Sequence, residues 1–164
     1  MLKPAVAAAK PAEYFPPPSF RFRLLLNGSR DDGSFQEISG LKVEWTTEDV
    51  PEGGQNRFVH RLPLRTKYGN ALLKRGVVLK GSAMADWFAQ GLSANFLSKP
   101  VEPRTATILL LDAAGGTLVE WTLVRAVPVS WEHSALSASE NNLLIETLEL
   151  SYDFFNRRTW PPKG

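Results

Sequence analysis

EGGQNRFVHRLPLRTKYGNALLKRGVV, residues 52–78, is the stretch on which the reading of this chain turns. With Lys80 it brings together seven basic residues: Arg57, Arg61, Arg65, Lys67, Lys74, Arg75 and Lys80. No acidic residue stands between Gly53 and Ala85. Apolar side chains are threaded through it at Phe58, Leu62, Leu64, Leu72 and Val77. A solvated basic tail lacks such threading, so the segment reads as folded, with one cationic side. Strand signals run over residues 57–64 and again over 71–79. Chemistry alone leaves three uses open for that side: a solvated face, a track for phosphate backbones, or a match for acidic surface on another subunit. Nucleic-acid recognition usually adds exposed aromatics or a recognised reading module. No RNP-like motif, zinc finger or helix-turn-helix is visible.

The flanks extend the β pattern. In FRFRLLL, residues 20–26, Phe20, Phe22, Leu24 and Leu26 face one way and Arg21, Arg23 and Leu25 the other. Asn27-Gly28 marks a turn. A second strand is expected over 41–47, with Leu41, Val43 and Trp45 alternating against Lys42, Glu44 and Thr46. Residues 51–54 read as a loop. SAMADWFAQ, residues 82–90, is the one good helix, capped by Ser82, with Met84, Trp87 and Phe88 on a single face. Residues 92–99 extend it or form a loop. Residues 105–111 and 117–129 read as strands joined by the turn Asp112-Ala113-Ala114-Gly115-Gly116, and Trp121, Leu123, Arg125 and Val127 share a face. Pro128 ends regular pairing or sits at an edge. The last strand is expected over 143–154, with Leu148, Leu150, Tyr152 and Phe154 together. Six to eight strands and one helix predict a mainly β (α+β) domain, an antiparallel sandwich or barrel with one packed helix.

Bulk properties narrow the function classes. The 164 residues suffice for one domain with a real core. Cysteine is absent, which excludes disulfides, thiolate catalysis and cysteine-ligated zinc. The net charge is +2, but Lys3, Lys10 and Glu13 in the leader and Arg157, Arg158 and Lys163 in the tail leave the interval 21–153 at −2. The high pI therefore says little about nucleic acid. No apolar run approaches the ~20 residues of a membrane span. The stretch Ala5–Ala9 is shorter than a signal-peptide core, so a cytoplasmic product without membrane anchoring is expected. Residues 1–19 hold five of the twelve prolines and read as a Pro-rich N-terminal arm, extended or a disordered leader; 20–156 are expected to form the β domain, and 157–164 a basic C-terminal tail.

Catalytic, cofactor and metal sites are not expected. Asp31-Asp32-Gly33 lacks EF-hand spacing and reads as an acidic turn. Gly53-Gly54 is not followed by a phosphate-loop pattern. His133 beside Glu132 and Ser134 is adjacency in sequence, not a triad. His60 reads as a surface or interface residue. Trp45, Trp87, Trp121 and Trp131 read as core or interface anchors.

Taken in order, these pieces resemble the tail-tube proteins of contractile phage tails and of extracellular contractile injection systems. FRFRLLLNG, residues 20–28, resembles the family's opening strand and turn. SFQEISGLKVEWTTEDVPEGGQN, residues 34–56, and FVHRLPLRTKYGNALLKRGV, residues 58–77, resemble the next blocks, the latter of LPGRTKYPNLTLKRG type. DWF at 86–88 fits the helix; ILLLDAAGGTLVEWTLVRAVPVSWE, residues 108–132, and IETLELSYD, residues 145–153, resemble the closing strands. Leu64 and Gly69 depart from the glycine and proline of that pattern. The resemblance implies a hexameric tube-protein fold: rings that stack head to tail into an inner tube, main tube body or initiator, with the body favoured. It implies partners in sheath, baseplate or spike, and tube-initiator or terminator proteins, and protein cargo in the lumen. Residues 48–55 and the basic block supply candidates for ring-to-ring contact: Glu48, Asp49, Glu52, Arg57, Arg61, Arg65, Lys67, Lys74 and Arg75. The rival reading is a small β-barrel that binds single-stranded nucleic acid.

Overall fold

The computed structural model describes residues 21–28, 33–51, 53–54, 58–77, 82–93, 100–134 and 144–160. The leader, Phe20, Asp31, Asp32, Glu52, Arg57, Lys80 and residues 161–164 lie outside them. The described residues form ten strands and one helix, and every strand pairing is antiparallel.

Eight strands belong to one sheet. Along it lie β2 (Ser34–Phe35), β1 (Arg21–Leu26), β7 (Arg104–Leu111), β8 (Thr117–His133), β9 (Ile145–Ser151), β6 (Ala71–Gly76) and β3 (Glu37–Ser39), while β10 (Phe154–Thr159) pairs beside β8. The end strands β2 and β3 are successive pieces of one segment, separated only by Gln36, whose N–H donates to the Lys74 carbonyl at 2.9 Å. The sheet therefore returns on itself, which leaves few edges to attract foreign strands. The expected antiparallel sandwich or barrel with a single helix is what the chain forms.

The alternation read in the first strand is real. Leu24 and Leu26 are buried and Phe22 packs against the core, facing Ile108, Ala106 and Leu110 of β7. Asn27 and Gly28 both take positive φ, 50° and 76°, as a tight hairpin-type turn demands. The Asp112 carboxylate accepts from the Gly116 N–H at 2.7 Å and closes the β7–β8 turn. Helix α1 (Ala83–Gly91) starts where Ser82 Oγ accepts from the Ala85 N–H, and it buries Met84, Trp87 and Phe88 against β8. It stops at Gly91; Leu92 and Ser93 do not continue it, and 94–99 lie outside the described residues.

Long strand β8 departs from the simple pattern. Arg125 takes φ +54° at a bulge against β7, so the inward phase passes from Val119, Trp121 and Leu123 to Ala126 and Pro128. Arg125 does not share the face of Trp121 and Leu123; it is exposed and pairs with Asp153 at 3.1 Å. Pro128 is buried and pairs with Leu150 without ending the strand, because β7 stops pairing at Ala126 and leaves that side of β8 without a ladder among the described residues.

Opposite the bulge, the expected last strand breaks. It divides at Tyr152-Asp153 into β9 and β10, and both pieces stay antiparallel to β8. The break flips the phase: Phe155, not Phe154, packs with Tyr152, at 6.1 Å, and Phe154 is exposed. Strand β10 runs on through Arg157 and Arg158, into the region assigned from sequence to the tail.

The remaining pair stands apart. Strands β4 (Val43–Val50) and β5 (His60–Tyr68) form their own two-stranded ribbon, offset from the expected spans 41–47 and 57–64. At its root, Leu41 packs on the core, Gly69 N–H donates to the Lys42 carbonyl at 2.9 Å, and Tyr68 stacks edge-on against Phe155 at 5.6 Å.

Candidate assembly surface

Among the described residues, the ribbon has almost nothing beneath it. Within β4 and β5 only Thr46 and Tyr68 are even partly buried. Of eleven large apolar side chains exposed among the described residues, seven sit on this hairpin: Val43, Trp45, Val50, Phe58, Val59, Leu62 and Leu64. Trp45 is the extreme, at 63% exposure. An isolated two-stranded hairpin is marginal in water, and a clustered apolar surface signals a contact. The hairpin is built to be covered.

Register sorts its side chains into two faces, since directly opposed residues point the same way. One face carries the pairs Val43–Tyr68, Trp45–Thr66, Thr47–Pro63 and Asp49–Arg61. The other carries Glu44–Lys67, Thr46–Arg65, Glu48–Leu62 and Val50–His60. A register shift between Thr46 and Thr47 leaves Leu64 as the extra residue and bends the ribbon there. Beside it, Thr46 Oγ1 bonds both the N–H and the carbonyl of Arg65, each at 3.1 Å. Arg61 pairs with Asp49 at 3.3 Å and Lys42 pairs with Glu44, while His60 stacks edge-on to Phe58. Exposed pairs like these contribute little to stability. They do set which charges are offered to a partner, and Arg65 and Lys67 enter no side-chain ion pair among the described residues.

Five candidates read from sequence thus gather on the hairpin: Glu48, Asp49, Arg61, Arg65 and Lys67. Glu52 and Arg57 lie outside the described residues. Lys74 is on β6, paired with Glu37 at 3.1 Å. Arg75 requires a correction. It is 2% exposed, ion-paired with the equally buried Glu146 directly opposite it on β9, and cannot present its charge to a neighbour. Its Nη2 donates to Ser82 Oγ at 3.0 Å, and its guanidinium stacks over Phe35 at 5.2 Å. Trp131 Nε1 donates to the second Glu146 oxygen at 3.1 Å, with His133 4.0 Å away. This network ties β6, β8, β9 and the helix cap together. Sequence phase held the signal: Arg75 alternates with Ala71 and Leu73, and Glu146 with Leu148 and Leu150, so each charge lay on an apolar face.

No group of three or more potential metal ligands exists among the described residues. Among the described residues, the Tyr152 phenol is the group whose titration is clearly displaced, raised by burial and by the neighbouring Tyr68.

Comparison with known proteins follows the same direction. The family model described as T4-like virus tail tube protein gp19 matches residues 18–156. Among solved structures, a chain of the anti-feeding prophage baseplate, 6-fold symmetrised, is 28% identical, with 98% of this chain and 99% of that one covered at a TM-score of 0.69. A chain of the anti-feeding prophage tube-terminating cap is 26% identical over 94% and 99%, at 0.75. A chain of the sheath-tube complex of the PVC extracellular contractile injection system is 24% identical over 90% and 94%, at 0.73. A search of curated proteins finds no match.

Proposed function

We propose how this chain works from a premise that is not itself a proposal: it belongs to the T4-like virus tail tube protein family, whose model matches residues 18–156. It is a tube subunit. In our reading, its sheets join those of neighbouring subunits into six-membered rings, and the rings stack head to tail. A heterologous contact of that kind does not close and so generates a tube. The β4–β5 hairpin is the stacking element. The observation that carries this is the concentration of exposed apolar side chains on a ribbon with no core of its own. Glu48, Asp49, Arg61, Arg65 and Lys67 then fix register and partner choice more than affinity, with Glu52 and Arg57 as further members of that set.

The relatives come from baseplate, tube and cap assemblies of contractile particles. By extension, this subunit meets sheath, baseplate and terminator proteins, is made in the cytoplasm, acts without catalysis or cofactor, and leaves a lumen for protein cargo. Among the described residues no helix is long and apolar enough to cross a membrane. Whether the chain is tube body or initiator is decided by its own assembly: unaided stacking marks the body, single rings the initiator.

The double reversal Arg65→Glu with Lys67→Glu tests the stacking role. Electron micrographs should show shorter or fewer tubes while the subunit stays folded. Tube length and yield equal to the parent's would refute it.

A further inference from the structure

The face of the sheet turned away from the core has a composition of its own. Strands β10, β8, β7 and β1 lie side by side, and their inward face is closed by Phe155, Leu123, Trp121, Ile108 and Leu24. The opposite face has cross-strand rows set by register. One row reads Arg23, Leu109, Glu120, Arg158; the next reads Leu25, Thr107, Thr122, Asn156. Arg21 stands beyond Arg23 in the same phase. Arg21, Arg23, Asn156 and Arg158 are exposed, and the central residues of both rows are half-buried by one another. Three arginines against one glutamate give this face a net +2 among the described residues.

We propose that this face lines the lumen of the tube and is selective for acidic polypeptide. The inference rests on the tube reading above. Two features of the subunit orient it. Strand β10 pairs only with β8 among the described residues, so its outer edge is available to the sheet of a neighbour. The covered side carries the bulk, namely α1 and the β9–β6–β3 part of the sheet. In a closed ring the circumference grows with radius, so the bulky side packs outward and the bare sheet faces the axis.

Repeated around a ring and along a stack, arginines of one sign inside a confined channel raise the local concentration of anions. The face suits a protein rather than a nucleic acid. Single-strand nucleic-acid tracks alternate cations with stacking platforms. Here, among the described residues, the aromatics in phase are Phe154 and Trp160, one at each end of β10, and aliphatic and hydroxyl side chains fill the rows between them. The Glu120 carboxylate, which accepts from Thr122 Oγ1 at 3.2 Å, also interrupts the cationic row where a phosphate chain would run.

The test assembles the full chain in the presence of three fluorescent probes of equal length: polyglutamate, polylysine and a single-stranded oligonucleotide. Tubes are counted by electron microscopy, pelleted, and assayed for retained probe. The expected result is polyglutamate retained several-fold above polylysine and above the oligonucleotide. That excess should disappear at about 1 M salt, where screening acts within ~3 Å. It should also be lost in tubes of the Arg23→Gln, Arg158→Gln variant. Tubes that retain polylysine equally, retain the oligonucleotide in preference, or keep polyglutamate after neutralisation would overturn the lumen assignment while leaving the tube reading intact. Absence of rings and tubes alike would instead overturn the assembly reading, and this inference with it. Should the variant fail to fold, Asn156→Cys in the otherwise cysteine-free chain supplies the same information. Its thiol in assembled tubes should react faster with an anionic than with a cationic thiosulfonate, and a reversed preference would refute the proposal.

Discussion

Removing the charge of Arg75 should be among the most damaging single changes in the protein. Arg75 and Glu146 are each 2% exposed and directly opposed across β6 and β9. Arg75→Met keeps much of the aliphatic stem and volume, so the cavity left is small. What remains is the Glu146 carboxylate, buried, with the Trp131 indole at 3.1 Å as its other hydrogen-bond donor and a half-exposed histidine 4.0 Å away. Ser82 also loses the Arg75 Nη2 donor at 3.0 Å, though its oxygen still caps α1. Breaking a buried pair from one side costs about 3–5 kcal/mol, a large part of the ~5–15 kcal/mol that holds a domain together. With a urea slope of about 2 kcal/mol per molar, the midpoint should fall by about 1.5–2.5 M. The assay is urea unfolding followed by circular dichroism, at subunit concentrations low enough that assembly adds no stability. Replacing both partners, Arg75→Met with Glu146→Leu, should recover most of the loss, because two apolar residues leave no orphaned charge. A single substitution costing less than about 1 kcal/mol, or a double variant no better than the single, would refute the reasoning.

Other consequences are simpler. The Tyr152 hydroxyl is buried without a hydrogen-bond partner among the described residues, so Tyr152→Phe should leave stability unchanged or raise it by about 1 kcal/mol in the same assay. Its raised pKa has a definite sign: the neutral phenol is favoured in the fold, so this contribution is full below pH 10.0 and lost as pH climbs through the folded value. Alkaline unfolding curves of the parent and Tyr152→Phe should diverge there. Gly40 has φ +77°, and a Cβ on it would lie 2.0 Å from the Asn70 carbonyl oxygen, so Gly40→Ala should cost several kcal/mol and shift the midpoint by more than 1 M. Trp45→Ser should do the opposite of a core mutation. It should change subunit stability by less than about 0.5 kcal/mol, yet raise the concentration at which assemblies appear by light scattering.

Period-2 alternation made the core legible wherever strands were long and continuous. Phe22, Leu24 and Leu26 read correctly, as did the Ser82 cap, the Asn27-Gly28 turn and the apolar face of α1, because each follows from local chemistry. The rest depended on events without a local signature. A positive φ at Arg125, a residue of no special turn propensity, inverts the phase of β8, and the chain opposite answers with a break at Tyr152-Asp153. Strands β2 and β3 are two and three residues long, too short for a period. The charge pattern of residues 57–75 did not separate Arg65, which is exposed, from Arg75, which is buried. Only the phase relative to Ala71 and Leu73 does. Trp45 alternates with Val43 as a core strand would, and the missing information is that nothing among the described residues covers them.

The most direct test of the account is negative-stain electron microscopy of the purified full chain over a concentration series. The account predicts six-fold rings with a central hole, stacking into tubes as concentration rises. A uniform, folded monomer at every concentration would contradict it.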